Sequence, residues 1–230
     1  MLLYNHLEPS ADDTLSIAGR GPARLSEGDE MLDARSTSRE IARRAPAIAV
    51  YGIGAIEQHS IHLPLGTDWL SVDDITRRIA GELDAFLVPA LPFSMSECHK
   101  PMAGTVWLKP ETLAAGLRDT VLSLYAQGIR KVLVVNGHGG NLILGAEIRR
   151  LNMVHADLIV LMPSGLAPRP GDPRIWDKGT GIHAGESETS RQLYINREHV
   201  KAERVDGVPD ARIKLSVDLA PKPSGTIELF

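Results

Sequence analysis

The chain has 230 residues, 43% of them hydrophobic and 23% charged, a length and composition that support a self-sufficient core and exclude global disorder. Its one cysteine, Cys98, excludes an internal disulfide or a cysteine-rich zinc module and fits a reducing cytoplasm. A net charge of −4, a pI of about 6.1 and an aromatic content of 4% argue against a nucleic-acid partner. Residues 1–7 lack the basic start and long apolar core of a secretory signal, and no apolar run approaches the ~18 residues of a membrane span.

Residues 1–35, rich in Gly, Ser, Asp, Glu and Arg, read as an N-terminal arm, and residues 36–230 as one domain. Ser36-Thr37-Ser38-Arg39-Glu40 carries capping chemistry for a short helix to about Arg44. Ala47–Ile53 is a buried-strand run, and Asp68–Leu83 a helix with Ile75, Ile79 and Leu83 on one face. Ala85–Leu91 is a second strand whose end Pro89 demotes to an edge or terminus. Thr105–Leu108 reads as a short strand. Glu111–Gln127 is a helix opened by Pro110 and stopped by Gly128. Lys131–Val135 is a strand of the buried parallel type, Leu142–His155 a helix, Asp157–Met162 a strand and Glu186–Asn196 a helix. Between the last two lies a Pro/Gly-rich loop, 163–182, long enough to suspect a functional role. The stretch after about residue 200 is weakly patterned. The alternation predicts an α/β fold, with a mostly parallel sheet between helices on both faces and ligands beyond the carboxyl ends of the strands.

Three loops at those ends carry the chemistry. The first strand runs into Gly54–Asp68, where Glu57 and His59, two apart in extended chain, point the same way and Asp68 can fold back toward them. Carboxylate and imidazole donors suit Zn²⁺, Mn²⁺ or Fe²⁺, whereas the plainer reading is a capping Asp68 and an incidental His59. The strand 131–135 runs into Asn136-Gly137-His138-Gly139-Gly140-Asn141, where glycines leave the imidazole uncrowded and admit a ligand to the backbone, and Asn141 can cap the next helix. A tight turn with a surface histidine, or an anion cradle, fits this loop too. In Gly181–Ser190, Glu188 can complete a metal shell and His183 can exchange protons; an acidic helix N-terminus is the plainer account of Glu186. Taken together, the loops could hold two cations with a water activated between them.

These residues resemble the creatininase (creatinine amidohydrolase) family, through GAIEQHSIHLPLGTD at 54–68, NGHGGN at 136–141 and HAGESETS at 183–190. The resemblance covers roughly residues 36–196 and implies a three-layer α/β/α sandwich with a binuclear metal site. By position, Glu57, His59, Asp68, His138 and Glu188 match the metal ligands, with Asp68 bridging and Glu188 counted with the catalytic groups. His183 matches the proton-transfer residue, and Ser96, His99, Gly139 and Gly140 fall on the substrate side. The implied cofactors are two divalent ions, Zn²⁺ or Mn²⁺, with Fe²⁺ also compatible. The implied activity is hydrolysis of a C–N amide bond in a small cyclic amide or formamide. The alternatives are trimming of a modified peptide, or hydrolysis of a non-amide bond. A homo-oligomer, hexameric in many members, is implied as well.

The chain departs from the family at several points. Ser60 stands where Gly is usual, Cys98 where a Glu precedes the substrate-side histidine, and Met102 where Phe is usual. Gly140 replaces the acid that accompanies creatinine opening, and the family's Gly-rich tail and last helix are not visible after about residue 200. Three other readings compete. A dinucleotide fingerprint starting at Gly52-Ile53-Gly54 would put the anion Glu57 at its third glycine. A Cys98–His99 thiol enzyme lacks anything to orient the histidine. A fold that binds metal without turnover is countered by the complete ligand set.

Overall fold

The computed structural model describes residues 31–163 and 183–203. Most of the expected arm, nearly all of the loop 163–182 and the weakly patterned tail lie outside the described residues. Among those described, four strands form one parallel sheet: β1 (Ile48–Ile53), β2 (Phe86–Leu91), β3 (Lys131–Asn136) and β4 (Ile159–Leu161). Their order is β2-β1-β3-β4, and every pairing is parallel. The helices are α1 (Ser38–Arg44), α2 (Thr67–Leu83), α3 (Pro110–Ala126), α4 (Ile143–Val154) and α5 (Glu186–Ile195).

The layers follow from the period of two along each strand. Ala49, Tyr51 and Ile53 of β1, with Val132 and Val134 of β3, face α3 and α4, where Leu113, Leu117, Val121, Leu144 and Leu151 close the larger core. The alternate residues Val50, Leu133 and Val135 face the α2 side, against Ile79 and Ala80. In β1 and β3 both faces are covered, which explains their unbroken apolar runs. The expected α/β/α sandwich is therefore the fold observed. Chain geometry alone then puts the β1–α2 and β3–α4 loops at the same end of the sheet.

Local chemistry accounts for the boundaries. Thr37 and Glu40 form a capping box that starts α1. Pro110 opens α3, where a missing N–H costs nothing. Strand β2 continues through Pro89, because β2 is an edge strand and the β1–β2 register slips there. Tyr51 pairs with Val88 but Ile53 with Leu91, so Pro89 sits in a bulge that needs no donor. The short strand expected at 105–108 is not formed; Val106 and Trp107 make only isolated bridges, to Ile56 and Ser94. Asn141 does not cap α4, whose N-cap is Leu142 without a side-chain bond. The Asn141 amide is engaged by the neighbouring loops instead, accepting from Met95 N–H (3.1 Å) and donating to Asn136 Oδ1 (3.0 Å).

Candidate metal centre

The start of α2 is driven into the carboxyl end of the sheet. A Cβ on Gly54 would lie 2.7 Å from the Trp69 backbone nitrogen, so only glycine at the end of β1 admits the helix this close. Gln192 ties α5 to the same place, donating to the Thr67 carbonyl (3.0 Å) and to Ser71 Oγ (2.9 Å). Asp68 and Glu188, far apart in sequence, are thereby brought to the ends of β1 and β3. Asp68 lies in the first turn of α2, where the helix dipole favours an anion, but the N-cap is Gly66. The capping role considered for Asp68 is thus not the one its side chain takes.

Its two carboxylate oxygens face different histidines. Oδ1 lies 3.3 Å from His59 Nε2 and Oδ2 lies 3.0 Å from His138 Nδ1. Glu57 Oε1 is 3.3 Å from the same His138 nitrogen, and Glu188 Oε2 is 3.8 Å from His59 Nε2. Each imidazole has its outer nitrogen tied down. His59 Nδ1 donates to the Glu57 carbonyl (3.1 Å), and His138 Nε2 donates to the Met95 carbonyl (3.1 Å). These backbone acceptors orient the rings so that His59 Nε2 and His138 Nδ1 face the acids, the arrangement that metal-binding histidines use. Among the described residues, the compact donor sets include Glu57–Asp68–His138 and His59–His183–Glu188.

Most of the donors are closed to solvent: Glu57 and His59 are 0% exposed, Asp68 4% and His138 8%, whereas the Glu188 side chain keeps 26% exposure. Both Glu57 oxygens, His59 Nε2 and Glu188 Oε2 lack a hydrogen-bond partner. Burying such groups costs several kcal/mol unless a cation or a strong partner compensates. In the metal-free protein, protons on histidine supply that charge. Burial opposes the His59 cation, but the Asp68 and Glu188 carboxylates outweigh it and push its pKa up to about 9. His138 is raised in the same way by Asp68 and Glu57 against its own burial. Burial would raise Asp68, yet the two histidines pull it down to about 2. Glu188 goes the other way, up to about 7, through burial and the Asp68 charge. Buried acids with converging imidazole nitrogens fit divalent cations, and Asp68 alone presents an oxygen to each histidine.

The substrate-side residues surround this centre. His183 is held beneath Gln58, its Nε2 2.6 Å from the Gln58 carbonyl and its Nδ1 3.5 Å from Glu57 Oε1. Burial and the His59 charge drive its pKa down to about 4. His99 stacks on it with ring centroids 4.5 Å apart, and is 3.8 Å from Glu57 Oε1. Ser96, with no exposure and an unpartnered Oγ, precedes the 3₁₀ turn Glu97–His99, and the Cys98 of that turn is exposed. Gly139 borders open space. A Cβ on Gly140 would come within 2.7 Å of the Met95 carbonyl, so a side chain there is incompatible with the contact that orients His138. Ser60 adopts φ 58°, a left-handed conformation that explains why glycine is usual at that point. His62, which the motifs left without a role, meets Thr189 of α5 at 3.0 Å and acts as a strut.

Gln58, Met95 and Gln192 escaped the sequence reading. Gln58 lies inside the Glu-x-His spacing, but alternation pointed it away from the site. Met95 acts through its carbonyl, which no side-chain pattern reveals. Gln192, one turn beyond Glu188, carried no signal separable from an ordinary helix position.

Comparison with known proteins agrees with this geometry. The sequence model of the creatininase family, creatinine amidohydrolase, matches residues 34–226, so the match runs on into the weakly patterned tail. A mycofactocin precursor peptide peptidase of Mycobacterium tuberculosis is 31% identical over 182 residues, covering 74% of this chain. The chain spans 66% of that relative's length. A candidate creatinine amidohydrolase from Bacteroides fragilis superposes with a TM-score of 0.68 at 26% identity, over 87% of this chain and 84% of its own. A Zn-Zn type creatininase variant (TM-score 0.64, 21% identity, 87% and 88% coverage) shares the fold, as does an Mn creatininase (0.66, 23%, 86% and 88%). With the three motifs gathered at one end of such a sheet and the family match spanning the catalytic core, the chain belongs to the creatininase family.

Proposed function

We propose that this chain is a metal-dependent amidohydrolase. It holds two divalent ions, Zn²⁺ or Mn²⁺ with Fe²⁺ also suited to the donors, through Glu57, His59, Asp68, His138 and Glu188, and it hydrolyses a C–N bond of a small cyclic amide or formamide. One observation carries the reading: Asp68 offers separate oxygens to two histidines whose other nitrogens are already fixed by backbone carbonyls. Solved relatives of Zn-Zn and Mn type support the choice of ions. Ions bound there would acidify a water toward neutral pH and polarise the scissile carbonyl.

The chain's own groups do the rest. Glu57 and the rings of His59, His99 and His183 wall the centre from bulk water. His183 stands beside Glu57 with one nitrogen anchored at Gln58, placed to exchange a proton with a leaving nitrogen. Ser96, His99 and Gly139 present the substrate side, while Gly140 serves the packing of His138 against Met95.

Metal analysis of the purified protein, followed by a screen of cyclic amides, lactams, formamides and peptides, tests this reading. His59→Ala and Asp68→Ala are expected to lose both bound metal and turnover; full metal occupancy in both variants would refute the ligand assignment. A second reading, removal of residues from a modified peptide, is supported by the 31% identity to the mycobacterial peptidase. Cleavage of peptides with no action on small amides would select it. We further propose a cytoplasmic location, which suits the single cysteine, and a homo-oligomer, which the family resemblance implies and sedimentation analysis would test.

A further inference from the structure

The Glu57–His99–His183 cluster forms a third donor set beside the two already described. Its role turns on which nitrogen of His99 carries the proton, and one buried amide answers that. The Ser60 N–H can only donate, and it lies 3.0 Å from Gln58 Oε1. The end of the amide facing Ser60 is therefore the oxygen, and the other end is the NH₂. The Gln58 main-chain N–H donates to Thr105 Oγ1 (3.1 Å), which holds the residue in place. Gln58 Nε2 lies 3.0 Å from His99 Nδ1. An amide NH₂ has no lone pair to accept with, so His99 Nδ1 must be the acceptor.

A neutral imidazole that accepts at Nδ1 carries its hydrogen on Nε2. That nitrogen faces Glu57 Oε1 at 3.8 Å, on the site side of the ring. His183 is not constrained in this way. Its Nε2 lies 2.9 Å from the Gln58 amide nitrogen and 2.6 Å from the Gln58 carbonyl, so either protonation state finds a partner.

We propose that Gln58 is a positioning residue that fixes His99 as an Nε2–H donor aimed into the site. His99 then has no lone pair facing the centre. It is not a third metal ligand but a hydrogen-bond donor for an acceptor on the substrate, a carbonyl or carboxylate oxygen held beside Glu57. The left-handed backbone at Ser60 (φ 58°) belongs to the same device, because it accompanies the Ser60 N–H contact that orients the amide. The cluster's resemblance to a metal site is thus cancelled by one non-ionising neighbour.

The role assigned to His99 rests on the metal-site reading, but its protonation can be read without metal. Long-range ¹H–¹⁵N spectra of metal-free protein, with His99 identified by the signal missing from His99→Gln, are expected to show Nδ1 unprotonated and Nε2 protonated. Gln58→Glu offers only acceptors and is expected to shift His99 Nδ1 to the protonated form. Nδ1 protonated in the wild type, or unprotonated in a folded Gln58→Glu, would overturn the proposal. The wild-type spectrum decides alone if that variant does not fold. A zinc titration supplies the second arm. His99→Gln should bind the same number of zinc equivalents as the wild type, and a lower number would overturn the donor role. A wild type that binds no zinc would refute the metal reading and leave the spectroscopic test intact.

Discussion

Leu113, Leu117, Val121, Leu144 and Leu151 on the α3/α4 face have no solvent exposure, and neither do Glu57 and His59 at the carboxyl end of the same sheet. The first group is closed by apolar contact alone and leaves nothing unsatisfied. The second leaves both Glu57 oxygens and His59 Nε2 without a hydrogen-bond partner. Equal burial therefore means opposite things: in the core it is the source of stability, and at the proposed centre it is a debt that a bound cation would cancel. The centre is tolerated because the core, the Gly54 contact and the Gln192 tie hold its donors where they could not relax into water.

The sharpest way to break this contrast is at Asp68. Asp68→Ala should cut turnover on whichever amide the screen identifies by on the order of a thousandfold or more, about 4 kcal/mol of barrier. It should also abolish the shift in melting temperature that chelators cause in the wild type. Leu117→Ala should do the reverse. Denaturant titration is expected to show a loss of about 2–5 kcal/mol, with metal stoichiometry unchanged in the folded fraction.

Asn141→Ala probes the support between the two regions. Asn141 holds the Met95 N–H, and the Met95 carbonyl orients His138, so metal affinity should fall roughly ten- to a hundredfold with little change in unfolding. Unchanged affinity in an isothermal titration would show that Met95 needs no such anchor. The gentlest probe is pH. His59, raised to about 9 in the metal-free protein, is protonated at neutral pH and must release that proton to bind a cation. Metal affinity should therefore rise with pH, by at most about tenfold per unit per released proton, and level off above about 9. The sign for the metal-free fold is opposite: stability from the charged His59 is full below the ordinary value of 6.5 and is lost as pH rises through about 9. Calorimetric metal titrations in buffers of different ionisation enthalpy would register the released protons; buffer-independent heats would contradict the assignment.

Much of the fold was legible because unbroken apolar runs and capped helices are local signals. AIAVYGI and KVLVV announced strands covered on both faces, and Pro110 and Gly128 bracketed α3. The segment 105–108 misled because its apolar residues serve two isolated bridges in a loop, a distinction made by distant partners Ile56 and Ser94. Asn141 misled for a similar reason, since two neighbouring loops outcompete the helix end for its amide.

Residue type and order by themselves determined the sheet-and-helix alternation, the three strand-end loops and the presence of Glu57, His59, Asp68, His138 and Glu188 within them. These are properties of short windows, where side-chain period and donor chemistry can be read directly. Tertiary structure alone decided that Asp68 turns one oxygen to each of two histidines, that backbone carbonyls of Glu57 and Met95 choose which nitrogens face inward, and that Gln58 reaches His99 and His183. Hydrogen-bond direction depends on ångström-scale placement of groups 41 to 125 residues apart, and nothing in a linear sequence fixes that separation before the chain packs.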